Sequence, residues 1–128
     1  MQESHLFEYA VIRVVPRVER EEFINVGVVL YCAKQKFLKA LISLDESRLE
    51  VFKADLDCDV LKANLTAFER ICAGEKDSGP IGKLDAASRF RWLTATRSTV
   101  VQASKVHPGF CKDAMETLNK LHEQLVLL

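Results

Sequence analysis

Three consecutive runs, Leu6 to Val15, Phe23 to Cys32 and Phe37 to Leu44, have the aromatic and β-branched content of strands, and only the short links Pro16 to Glu22 and Ala33 to Lys36 separate them. Links of that length cannot carry a parallel crossover, so they dictate an antiparallel three-strand meander. In the first run Phe7, Tyr9, Val11, Arg13 and Val15 alternate with Leu6, Glu8, Ala10, Ile12 and Val14. Both faces are mostly apolar, which predicts a central strand closed by Pro16. In the second run Ile24, Val26, Val28, Leu30 and Cys32 make one unbroken apolar face, with Phe23, Asn25, Gly27, Val29 and Tyr31 opposite. Gly27 marks a bulge or a close backbone approach, with ligand approach the alternative.

Beyond the meander the pattern turns helical. Asp45 or Ser47 can cap a short turn from Asp45 to Phe52. Leu61, Leu65, Phe68 and Cys72 recur along one stripe of a helix that starts near Asp57 or Asp59 and stops at Gly74. Residues Gly74 to Lys83 read as a mobile, glycine-rich loop. Asp85 can cap a further helix with Ala86, Phe90 and Leu93 on one face. Ser98 to Ala103 has strand content, Pro108 and Gly109 predict a turn, and Asp113 with Glu116 fits a capping box. That last helix would bury Met115, Leu118, Leu121, His122 and Leu125. The expectation is a single α+β domain over residues 1–128, two layers deep, in the order βββααβα. The later strand joins the meander and the helices pack on the sheet.

Composition narrows the function classes. Hydrophobic residues make up 48% of 128 residues, enough for one core, and charged residues cancel to a net charge of zero. The whole-molecule field therefore does not announce nucleic acid or an anionic membrane. Charge is nevertheless segregated. Six acids against two cations from Asp45 to Asp59 leave −4, and Arg89, Arg91, Arg97 and Lys105 with no acid leave +4 from Ser88 to Gly109. Such blocks can face water, face each other, or pair between copies of the chain. The four cysteines are scattered without metal-ligand spacing, which suggests a reduced, cytoplasmic chain, and the apolar N-terminal stretch is too short to cross a bilayer.

No constellation names a reaction. Asp45, Glu50 and Lys53 have residue types for a metal-dependent nuclease, but their spacing suits a solvated helix face. His107 and Cys111 flank a predicted turn, so their spacing makes no catalytic pair. No metal or cofactor is expected. The stretch around Trp92 offers a third possibility, with its arginines on phosphates and rings on bases, against which the zero net charge stands. A sharper local proposal is anion binding by Arg97, Ser98 and Thr99, although turn chemistry explains the same triplet.

Together the segments FEYAVIRVVP, EEFINVGVVLYC and RWLTATRSTVVQASKVHPG resemble the bacterial family known as domain of unknown function 3037. Matching positions include Arg13, Pro16, Glu22, Phe23, Asn25, Gly27, Trp92, Leu93, Arg97, Ser98, Gln102, His107 and Gly109, while Thr96 and Ala103 stand where the family pattern often has proline. The resemblance implies a small bacterial cytoplasmic protein without an assigned activity, and suggests a HipA-like kinase as partner. The expectation is a non-catalytic protein-binding or adaptor module, capable of self-association, whose surface includes Arg13, Asn25, Gly27, Arg91, Arg97, Ser98 and His107. The alternative is binding or processing of a phosphorylated or nucleotide ligand near Arg97 and His107.

Overall fold

The computed structural model describes residues 3–50, 56–97 and 99–127. Ser98, and the end of the helical turn expected to reach Phe52, lie outside the described residues. The strands are β1 (His5–Val14), β2 (Ile24–Cys32), β3 (Phe37–Ile42), β4 (Val101–Ala103) and β5 (His107–Cys111). The helices are α1 (Glu46–Leu49), α2 (Cys58–Ala73), α3 (Gly79–Gly82), α4 (Ala86–Leu93) and α5 (Ala114–Leu125). This is the expected α+β class, with β1, β2 and β3 forming the antiparallel meander.

As its two-sided apolar pattern requires, β1 is central. It pairs β2 on one edge, while β4 and β5 share the other. Both late strands run antiparallel to β1, so they amount to one edge strand interrupted at Ser104–Val106. The interruption is stitched by Ser104, whose backbone N–H donates to the Val11 carbonyl at 2.8 Å. Its buried hydroxyl accepts from the Val11 N–H at 2.8 Å and donates to the Lys105 carbonyl at 2.9 Å. A side chain thus stands in for the missing ladder bond of a buried backbone donor.

The structure corrects the turn expected at Pro108 and Gly109, which instead lie inside β5 opposite Glu8 and Phe7. Proline is tolerated on a sheet edge because its missing N–H need not serve the ladder. Gly109 lets the Phe7 ring lie over it, where a Cβ would stand 2.6 Å from Phe7 Cζ. A second correction concerns β2, whose apolar face is broken rather than continuous. Ile12 pairs Gly27 but Arg13 pairs Asn25, leaving Val26 as an extra residue. This bulge exchanges the faces of β2 partway along its length.

Helices cover both faces, three layers where two were expected. One core gathers Ala10, Ile12, Val14, Ile24, Val26 and Val29 under α2 and α4. The other gathers Phe7, Val28, Leu30 and Cys32 under α5. Side chains such as Ile12, Leu30, Leu93 and Leu118 are fully buried, each stabilising by roughly 1.5–3 kcal/mol. The caps follow the sequence closely. Asp57 accepts from the Asp59 and Val60 N–H groups, Gly74 closes α2 in the left-handed region at φ 67°, and Asp85 and Asp113 cap α4 and α5. The segment expected to be a mobile loop contains the single turn α3, with Ile81 packed against the first core.

Candidate functional site

The bulge at Val26 decides which polar side chains meet. On β1, Arg13 shares the α5 face with Phe7 and Tyr9, because strand side chains alternate. Without the bulge Asn25 would project with Val29 and Tyr31 toward α2 and α4. With it, Asn25 stands on the α5 face directly opposite Arg13, and its Nδ2 donates to the Leu125 carbonyl at the end of α5 at 3.2 Å. On the other side of Arg13 its register partner is Gln102 of β4. A row of three polar residues, Gln102, Arg13 and Asn25, therefore crosses the sheet where α5 ends.

The row is incompletely satisfied. Half-buried Arg13 lays its guanidinium 4.0 Å from the centroid of the Phe23 ring, which is 44% exposed. Among the described residues its buried Nε has no hydrogen-bond partner, and neither does the buried Asn25 Oδ1. Among the described residues no ion pair reaches Arg13. Gln102 is held by its Nε2, which donates to the Thr99 carbonyl at 2.7 Å. Arg13, Gln102, Phe23, Val15, Val18 and Glu21 line a cleft of about 320 Å³. A guanidinium stacked on a ring keeps its donor edge available, so the cleft sets N–H donors beside an apolar wall, an arrangement that can receive an oxygen acid.

The remaining expected residues do not join this row. Gly27 is buried against Leu41 and Ile42, a structural role. Arg91 is exposed on α4 and donates to the Ala87 carbonyl at 3.4 Å. Arg97 lies 4.1 Å over the Trp92 ring and donates to the Trp92 carbonyl, beside a cleft of about 560 Å³ whose walls include Phe68, Ile71 and Leu93. His107 is opposite Tyr9, ring centroids 5.3 Å apart, on the α5 face. Arg97 and His107 thus belong to opposite faces, and the cleft beside Arg97 does not include His107 among its described lining residues. Ser98 lies outside the described residues. Phe23, Gln102 and Glu21 join the site without having been expected in it. Phe23 and Gln102 already match the family pattern, but only the strand register shows that they meet Arg13.

Two of the buried cysteines are poor nucleophiles. Burial pushes the Cys72 thiol up to about 12, and burial also raises that of Cys111, next to Cys32. Among the described residues no group of His, Cys, Asp and Glu could hold a metal ion, and no helix is long and apolar enough to cross a membrane.

Fold and site together define a small α+β domain, sheathed on both sheet faces, with a polar row open at one end of the sheet. The chain belongs to the family described as protein of unknown function, DUF3037, whose model matches residues 9–126. No curated protein and no solved structure matches it.

Proposed function

We propose that this chain is a non-catalytic protein-binding module, an adaptor that docks through the α5 face where β1, β2 and β4 end. Arg13 carries the reading: a half-buried cation with no ion-pair partner among the described residues, stacked on a phenylalanine that is 44% exposed. Each feature is costly in isolation, and arginine and aromatic side chains are what anchors protein interfaces. The family resemblance suggests a bacterial, cytoplasmic setting and a HipA-like kinase as partner.

Co-expression of the tagged chain with such a kinase tests this reading. The two should co-purify, Phe23→Ala should abolish recovery, and Phe110→Ala should leave it intact. Phe110 is the control because it is 74% exposed and pairs with Leu6, on the other sheet face. Recovery that survives Phe23→Ala but not Phe110→Ala would move the docking surface to the opposite face and overturn the proposal.

A further inference from the structure

Resting on the protein-binding reading above, we infer that the cleft around Arg13 takes one carboxylate, an acidic side chain of the partner, whose apolar neighbour packs on Phe23. The charge of the cleft selects a monoanion. Arg13 supplies the only cation among the six lining residues, and Glu21 adds a negative charge. A phosphate dianion would find one guanidinium and a repelling carboxylate, whereas a carboxylate matches the planar fork with two parallel N–H···O bonds. Capture of a chain terminus commonly uses converging backbone N–H groups. The polar side chains lining this cleft are instead Arg13, Gln102 and Glu21. The acidic side chain is therefore the better fit.

Asn25 is the positioning residue. Its Nδ2 is fixed to the Leu125 carbonyl, which leaves Oδ1 as a buried acceptor on the residue directly opposite Arg13, whose buried Nε is a donor without a partner among the described residues. Closing that one bond would fix the guanidinium plane against Phe23 and direct the two terminal nitrogens into the cleft. Val15, Val18 and Phe23 provide the apolar wall. Water excluded from that wall strengthens the charge-assisted pair at its edge.

The test is a titration of the ¹⁵N-labelled chain with capped dipeptides, followed through the Arg13 Nε–H and the Asn25 and Gln102 side-chain amides. Acetyl-Phe-Glu-amide should move all three signals. Acetyl-Phe-Gln-amide should bind at least about tenfold more weakly, the loss expected when a hydrogen bond to a charged group goes. Acetyl-Phe-Ala with a free terminus and acetyl-Phe-phosphoserine-amide should both bind more weakly than the Glu peptide. Arg13→Lys should lose at least about tenfold for the Glu peptide alone, because it keeps the charge and removes the fork. Asn25→Ala should weaken the Glu peptide with no change in the Gln peptide.

Equal binding of the Glu and Gln peptides, tighter binding of the terminus or the phosphopeptide, or no movement of the Arg13 signal would each overturn the inference. If the Arg13 variant does not fold, the peptide series on the unaltered chain still decides. The titration uses no partner, so the two readings fail separately. A kinase recovered equally by Arg13→Gln removes the carboxylate and leaves the module. Carboxylate binding without any recovered partner removes the module and leaves the site.

Discussion

A methyl group at position 27 would stand 2.7 Å from the Leu41 carbonyl oxygen and 2.9 Å from Cγ1 of Ile42. Backbone cannot retreat as a flexible side chain can. Gly27→Ala should therefore lower stability by about 1–3 kcal/mol, read as a reduced urea midpoint with unchanged slope. An unchanged midpoint would mean that β3 moves aside freely. The glycine itself was legible in the sequence as a bulge marker, and Arg13 and Asn25 were legible as candidates. What the sequence could not report is the exchange of faces at Val26. Both faces of β2 are buried, so Ile24, Val26, Val28, Leu30 and Cys32 read as one stripe whether or not the stripe is broken.

At the scale of elements, the gap between β4 and β5 is held to β1 by Ser104, through its backbone N–H and its hydroxyl. Ser104→Ala would leave the buried Val11 N–H without its acceptor, which costs roughly 1–3 kcal/mol. Amide exchange at Val11 should accelerate by more than at Val28. Equal acceleration at both would indicate global loss rather than a local break. The helix starts were legible because a cap is a local device: Asp45, Asp57, Asp85 and Asp113 sit where their side chains accept backbone N–H bonds. The strand β5 was not, because its pairing with β1 is a contact between distant parts of the chain and Pro108–Gly109 is locally indistinguishable from a turn.

Two of those caps set an acid limit. The hydrogen bond from Ser47 holds Asp45 below its usual 3.8, and that from Ser88 does the same for Asp85. A carboxylate with a depressed folded pKa stabilises above the unfolded value and loses that contribution as pH falls through the folded one. The melting temperature should fall as pH drops below the usual carboxylate value of 3.8 and through the lower folded values of these caps, and Asp45→Asn with Asp85→Asn should flatten that part of the fall. A fall that is unaltered in the double variant would place the titrating groups elsewhere.

For the whole molecule, the two cores predict how the thiols answer a reagent. Cys32, Cys72 and Cys111 are buried and Cys58 is half-exposed at the start of α2. In native buffer a disulfide reagent should modify Cys58 promptly, and the other three only at the rate of global unfolding. Prompt reaction of Cys72, whose thiol is raised to about 12, would contradict the packing of α2 on the sheet. The antiparallel meander and the helices that bury these thiols were legible from periodicity. Their division between two sheet faces was not, since a stripe records that a helix packs and not on which side of the sheet.

The position of β1 also bears on how the chain is made. Its second edge is filled by β4 and β5, and the bond between Val11 and Ser104 spans 93 positions. During synthesis β1, β2 and β3 emerge before β4 and β5 and can pair, while the far edge of β1 waits, unpaired and apolar, until those two later strands are released. That interval is when an open strand edge can recruit a neighbouring nascent chain. A message that stops after α4 would yield a product with that edge permanently open, and such a product belongs in the insoluble fraction of the cell.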